Sequence, residues 1–153
     1  AQGETSSDPN EHLADVYKVM LELGATTTRD IVEHLAQQDA FPAIFFCMAG
    51  KDRTGFVAAV LLSLLGVSDS DIADDFALSG DEVVALVRWL KTREDFENHP
   101  MMNQTDDLLR APRGAMEIFL SRVTLEHGGL HDWVLTLDVP QESIESLQAR
   151  ILE

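Results

Sequence analysis

The chain has 153 residues, of which 11 are lysine or arginine and 27 are aspartate or glutamate, so its formal net charge is −16 with neutral histidines. This charge excludes a protein that binds nucleic acid unaided, because phosphate backbones are held by clustered Lys and Arg side chains. The hydrophobic fraction of 45% and the charged fraction of 25% are ordinary for a globular protein, so we expect one domain over residues 1–153 rather than disorder.

Two helices are predicted after a flexible lead-in at residues 1–8. Asp8 followed by Pro9 is typical of a helix cap with proline in the first turn, and Gly24 supplies a stop. A second helix is predicted to be capped within residues 26–28 and to fade at residues 37–39. The apolar positions at helical spacing are Leu13, Val16, Tyr17, Met20 and Leu21, then Ile31, Val32 and Leu35.

Residues 41–47 form a short continuous apolar run, which is typical of a strand buried on both faces. It is the one segment that predicts a strand. A single strand leaves its backbone donors and acceptors unpaired unless other strands lie beside it. Either the chain contains further strands that its hydrophobic pattern does not indicate, or those strands are absent from this chain.

The remainder of the chain is predicted to be helical. A core helix follows from Arg53 to Leu65, because that stretch is apolar nearly all round, and Ser68 or Ser70 caps the next helix. Further helices are predicted at residues 81–95, 106–110, 113–127, 130–137 and 141–152. Gly80, the pair Gly128-Gly129 and Pro140 separate them.

The sequence has no apolar run long enough for a membrane anchor and no visible signal peptide. Cys47 is the only cysteine, so the chain can form neither an internal disulfide nor a cysteine zinc cluster. We expect a cytoplasmic location, with secretion as the alternative, since a processed leader would leave no trace. The five histidines show no ligand spacing, and neither a metal nor a cofactor is expected.

The stretch from Cys47 to Gly55 places a thiol at the end of the apolar run and opens a helix directly afterwards. A loop between strand and helix turns backbone N–H groups inward, and the helix N-terminus adds about half a positive charge, so an anion is favoured there. The predicted phosphate-binding residues are Met48, Ala49, Gly50, Lys51, Asp52, Arg53 and Thr54. Arg53, six residues after Cys47, can grip two phosphoryl oxygens with its planar guanidinium.

The same surroundings are expected to activate the thiol. Arg53, Lys51 and the helix N-terminus would lower the pKa of Cys47 from about 8.5 toward neutrality. The hydroxyl of Thr54 can donate a hydrogen bond to the sulfur. The pattern GxxxxGK[ST] of a nucleotide-binding loop does not fit, because Phe56 and Val57 stand after Gly55.

The nine residues match Cys-x5-Arg-[Ser/Thr], the signature of cysteine-dependent phosphatases, and CxAGKDRTG resembles the atypical bacterial tyrosine/serine and lipid phosphatase family. The resemblance also covers Asp75-Phe76-Ala77-Leu78-Ser79 and residues 116–152. It implies an α/β, three-layer cysteine-phosphatase-like fold, of which this chain supplies mostly helices plus the strand leading into the phosphate loop. The chain would be the C-terminal portion of a single phosphatase domain, and another chain or segment would complete the sheet.

The resemblance also implies roles. Cys47 would be the nucleophile that forms a cysteinyl-phosphate, and Arg53 would bind the phosphoryl group. Asp52 would be the general acid, with Asp39 as the fallback, because the chain has no Trp-Pro-Asp tripeptide. Lys51 would contact extra phosphates of a lipid headgroup, its alternative being a solvated lysine.

One residue departs from the family pattern: Phe46 stands where the family usually has a histidine that helps to hold the loop. We therefore weigh two functions. The first is a phosphatase of the protein-tyrosine or dual-specificity type, acting on phosphorylated proteins or phosphoinositides. The second is a catalytically weak or inactive phosphate-binding module; a sulfur-transfer or arsenate-reducing enzyme is a third, disfavoured by the lack of other cysteines.

Overall fold

Helices make up the fold in the computed structural model, which describes residues 8–96, 99 and 109–152. They run in the order α1 Pro9–Leu23, α2 Ala25–Leu35, α3 Asp52–Leu64, α4 Asp69–Ala77 and α5 Gly80–Leu90, then a 3-10 turn Glu94–Phe96, then α6 Arg113–His127, α7 Leu130–Leu135 and α8 Gln141–Leu152. No strand occurs among the described residues. Residues 1–7 of the expected lead-in, and residues 106–108 of the helix expected at 106–110, lie outside them.

Local capping signals explain the helix boundaries. The Asp8 carboxylate accepts from Asn10 N at 2.9 Å at the start of α1, and the Ser68 hydroxyl accepts from Asp71 N at 3.2 Å at the start of α4. Gly128 ends α6 with a φ of 86°, a left-handed conformation that suits glycine. The predicted threonine cap of α2 is wrong: α2 begins at Ala25, so residues 26–28 already lie in its first turn.

The core is built around α6, which packs against α1 and α4, while α3 packs against α4 and α7. Aromatic rings connect these layers. Tyr17 meets Phe76 and Phe119 edge-on with centroids 5.7 and 5.9 Å apart. Phe56 of α3 in turn contacts Phe119 and Trp133. This arrangement fixes the N-terminal end of α3 against α1 and α4.

The predicted strand at residues 41–47 does not form. These residues make no backbone–backbone hydrogen bond with another described residue, and their side chains are exposed rather than buried on both faces, with Ile44 at 89% and Phe46 at 83%. The physical reason is that a strand exists only through its neighbours, and the described part of the chain offers none. The three-layer α/β arrangement is therefore absent from the described residues.

The C-terminal helix anchors the start of this segment. Arg150 of α8 donates to the carbonyl oxygens of Gln37 and Gln38 at 2.6 and 2.7 Å, and its guanidinium lies 6.0 Å from the ring centroid of Phe41. Ser146 donates to the Ala36 carbonyl at 3.0 Å. The path from α2 toward Cys47 is thus held at its beginning, while residues 43–46 face solvent.

Within the described ranges, no helix is long and apolar enough to cross a membrane.

Candidate active site

The candidate site is the loop from Cys47 to Lys51 and the first turn of α3. Gly50 has a φ of 68°, a left-handed conformation in which a side chain would be strained. Lys51 is the last residue before α3, and its carbonyl accepts from Gly55 N at 2.7 Å. Ala49 packs against Val83 and Val87 of α5, so that helix supports the loop from outside.

Cys47 is a partly exposed free thiol with a perturbed pKa. Burial raises the pKa of Cys47. Hydrogen bonds from the Thr54 hydroxyl and from the backbone N–H groups of Thr54, Ala49 and Gly50 lower it by more than burial raises it, so the pKa is about 7. The pKa is lowered as expected, but the causes are the hydrogen-bond donors of the loop and of Thr54; Arg53 and Lys51, which the sequence predicts as causes, are not among them. A substantial fraction of the thiol is ionised at neutral pH, which is the state required of a nucleophile.

The hydroxyl of Thr54 is placed for this task. Its oxygen is buried and meets no partner at full hydrogen-bonding geometry among the described residues. A buried hydroxyl without a partner is costly, so it has reason to donate to a nearby acceptor. The sequence predicts the sulfur of Cys47 as that acceptor, and the lowering of the pKa of Cys47 by Thr54 supports this prediction.

Asp52, the first residue of α3, is held on one oxygen by two donors. The hydroxyl of Tyr17 donates to Oδ1 at 3.1 Å, and Lys51 Nζ lies 3.3 Å from the same atom. The side chain of Asp52 remains 37% exposed. The carboxyl group is thus oriented by the protein while still reachable from solvent.

Lys51 is buried, with 4% of its surface exposed, and its ammonium donates to the carbonyl oxygen of Arg110 at 3.2 Å. The sequence allows two interpretations of Lys51, a contact with a lipid headgroup or a solvated side chain. The structure instead places it inside, where it connects the loop to the segment that precedes α6.

Arg53 is exposed, and it forms neither an ion pair nor a hydrogen bond with any other described residue. It borders a groove of about 600 Å³ between α2, residues 40–46 and α3, together with Ile31, Thr54 and Val57. Cys47 is not among the residues that line this groove, so the binding of a phosphoryl group by Arg53 stays a prediction. Met48, the remaining loop residue, is 56% exposed beside Cys47, and Asp39 lies exposed in the turn after α2.

Tyr17 is the site residue that the sequence does not reveal. It falls on the apolar stripe of α1, where a core aromatic is the default interpretation, and no local signal distinguishes it. Its partner lies 35 residues away, so only the folded chain connects them.

Within the described ranges, no three His, Cys, Asp or Glu side chains group as metal ligands.

Comparisons with known proteins are consistent with this geometry. The model of the tyrosine phosphatase family matches residues 1–153. A tyrosine-protein phosphatase from Nostoc commune is 24% identical over an alignment of 148 residues, which covers 92% of this chain and 49% of the relative. The triple specificity protein phosphatase PtpB of Mycobacterium tuberculosis is 44% identical over 45 residues, 29% of this chain and 16% of the relative. The chain thus spans about half the length of the first relative and less of the second.

Proposed function

The chain belongs to the tyrosine phosphatase family, and from this premise we propose that it is a phosphomonoester hydrolase that acts through a cysteinyl-phosphate at Cys47. The observation that carries the proposal is the thiol itself. It is partly exposed, it sits in a loop of inward-directed N–H groups, and its pKa is lowered to about 7. The motif CxAGKDRTG further supports membership in the atypical bacterial tyrosine/serine and lipid phosphatases.

The proposed reaction has two steps. The Cys47 sulfur attacks phosphorus and the bond to the leaving oxygen breaks, while that oxygen takes a proton from Asp52. Water then attacks the cysteinyl-phosphate and gives a proton to Asp52, and the phosphorus–sulfur bond breaks with its electron pair returning to sulfur. Arg53 and the loop amides of residues 48–54 bind the phosphoryl oxygens in both steps.

A phosphotyrosine protein is the proposed substrate, ahead of a phosphoinositide. The burial of Lys51 supports this order, because its ammonium is engaged with Arg110 and Asp52 rather than presented to a headgroup. The net charge of −16 also disfavours unaided docking on an anionic membrane. The mycobacterial relative is named a triple specificity phosphatase, which supports including phosphoserine and phosphothreonine peptides in any substrate panel.

The proposal includes the environment of the site. Residues 41–47 form neither helix nor strand and make no backbone–backbone hydrogen bond with other described residues, which supports their becoming a strand of a parallel sheet completed by polypeptide outside these 153 residues. This would restore the three-layer α/β fold of cysteine phosphatases. A cytoplasmic location is proposed with it, since a reducing compartment keeps a nucleophilic thiol in its active form.

The test compares the full-length protein that carries these 153 residues with its Cys47→Ser variant on a phosphotyrosine peptide. We expect Cys47→Ser to lose turnover while still binding phosphate, and orthovanadate to inhibit the wild type. Full hydrolysis by Cys47→Ser would overturn the mechanism. A full-length wild type that binds phosphate without turning over substrate would instead identify the non-catalytic module, which Phe46 favours. Ser63→Ala, a change on α3 away from the loop, serves as the control.

A further inference from the structure

Tyr17 makes a contact that core packing alone does not require. Its ring is completely buried between Phe76 and Phe119, so its apolar part is accounted for by the aromatic cluster. The hydroxyl, however, donates to Oδ1 of Asp52, which is partly exposed at the start of α3. A buried phenol is therefore used to hold a partly exposed carboxylate in the first turn of α3, next in sequence to the loop.

The two oxygens of Asp52 have different surroundings. Oδ1 accepts from Tyr17 at 3.1 Å and lies 3.3 Å from Lys51 Nζ. Oδ2 has no hydrogen-bond partner among the described residues. An acid that must hand over a proton needs this asymmetry: one oxygen fixes the orientation of the group, and the other carries the proton.

The state of Tyr17 fits the same task. Burial and the charge of Asp52 raise the pKa of Tyr17 far above its usual range. The phenol therefore keeps its proton at every pH at which a phosphatase would work, and it remains a donor. Lys51, held by the carbonyl of Arg110, supplies the second donor from the loop side.

We propose that Tyr17 is a positioning residue that holds Oδ1 of Asp52, so that Oδ2 delivers the proton to the leaving oxygen of the substrate. This inference rests on the proposed function. When the phosphorus–oxygen bond breaks, the proton moves from Oδ2 to the leaving oxygen and Asp52 becomes a carboxylate. The hydrogen bond from Tyr17 strengthens as that charge develops, which stabilises the transition state.

The test is the leaving-group dependence of Tyr17→Phe, which removes the hydroxyl and keeps the ring. With phenyl phosphate, whose leaving oxygen must be protonated, we expect kcat/KM, which reports the transfer of the phosphoryl group to Cys47, to fall about tenfold, the effect of one hydrogen bond to a charged group. With dinitrophenyl phosphate, whose leaving group needs no proton, kcat/KM should not change. Asp52→Asn should show the same selectivity in kcat/KM, with a loss of roughly 10²- to 10⁴-fold on phenyl phosphate.

Phe119→Leu is the matched control, because it loosens the packing around the ring of Tyr17 without removing the hydroxyl. It should lower the melting temperature and leave the ratio of the two kcat/KM values unchanged. An equal loss on both substrates in Tyr17→Phe, or no loss on either, would overturn the positioning role even if Cys47→Ser is inactive. Turnover by Cys47→Ser would overturn both this inference and the proposed function.

Discussion

At the scale of single residues, the reactivity of Cys47 results from two opposing effects. Burial in the loop disfavours the thiolate, and four hydrogen-bond donors of the loop and α3 favour it more strongly. Most of these donors are backbone N–H groups, so the loop conformation itself activates the sulfur. The side chain that adds to them is Thr54, and its contribution can be isolated by substitution.

Replacing Thr54 with valine should raise the pKa of Cys47 from about 7 toward the ordinary value of a cysteine thiol, because the hydroxyl donor is lost and burial remains. The measurement is the pH dependence of iodoacetamide alkylation, whose midpoint reports the thiol pKa. Thr54→Ser keeps the hydroxyl and should retain the low midpoint. Identical midpoints for the wild type and Thr54→Val would show that the hydroxyl does not act on the sulfur.

Lys51→Met should reduce stability as well as activity, because the substitution leaves the Arg110 carbonyl without this donor. A cost of about 1–3 kcal/mol is expected for losing this partly buried hydrogen bond from a charged group, or a melting temperature lower by several degrees. Lys91→Met, at an exposed lysine after α5, is the control and should melt like the wild type. An unchanged melting temperature for Lys51→Met would instead favour a lysine reserved for substrate.

At the scale of elements, the first turn of α3 is positioned by close packing against α4. A Cβ atom on Gly55 would lie 2.8 and 2.9 Å from two ring atoms of Phe76, closer than real contacts allow. Phe76 cannot easily withdraw, since it is buried and touches Tyr17. Glycine at position 55 therefore sets the distance between the two helices and, through Tyr17, the position of Asp52.

Gly55→Ala should destabilise the fold by about 1–3 kcal/mol, the usual cost of forcing an extra methyl group into a packed core. Urea unfolding monitored by circular dichroism measures this cost. Ser63→Ala on the same helix is the control, and it should be neutral or slightly stabilising because alanine is the better helix former. Equal midpoints for Gly55→Ala and the wild type would show that α3 and α4 can separate freely.

Residues 43–46 should exchange their amide hydrogens rapidly, because they form no backbone–backbone hydrogen bond with other described residues. The amides of residues 60–64 in α3 provide the slow reference within the same molecule. Hydrogen exchange followed by mass spectrometry or NMR distinguishes the two segments. Strong protection at residues 43–46 in this chain would mean that they pair with a partner strand after all.

The helices and this segment also show what sequence can predict. The bounds of α6 and α8 agree with the predicted ranges because proline and glycine, which act within a few residues, mark those ends. The prediction of a strand at residues 41–47 is wrong because a strand is stable only beside other strands, and a local sequence pattern does not show whether those are present. The sequence does not predict Tyr17 as a site residue for a similar reason, since Tyr17 and its partner Asp52 lie 35 residues apart in the sequence. The loop from Cys47 to Thr54 can be predicted as a candidate site because its functional residues are consecutive in the sequence.

At the scale of the whole molecule, the charge of −16 acts on substrates before they reach the loop. Cations that could attract a phosphate at the site are few: Arg53 is exposed, while Lys51 is buried. In the proposed mechanism, the backbone amides and the guanidinium of Arg53 would bind the phosphoryl group against the repulsion of this negative charge. This predicts a preference for phosphopeptides whose flanking residues are not acidic.

Raising the salt concentration should lower KM severalfold for a phosphotyrosine peptide with acidic flanks, because salt screens the long-range repulsion. A peptide with neutral flanks should change much less. Steady-state kinetics at low and high sodium chloride compares the two. A KM that rises with salt for the acidic peptide would indicate a basic docking surface that the net charge conceals.

The central claim is that a phosphoryl group passes through Cys47, and trapping that intermediate tests it most directly. The wild-type chain and Asp52→Asn would be mixed with a phosphotyrosine substrate, quenched in acid within the first turnover, and mapped by mass spectrometry. The account predicts phosphate on Cys47 in both, with more in Asp52→Asn if loss of its carboxylate slows hydrolysis more than transfer. Turnover of substrate with no phosphate on Cys47, or with phosphate on another residue, would contradict it.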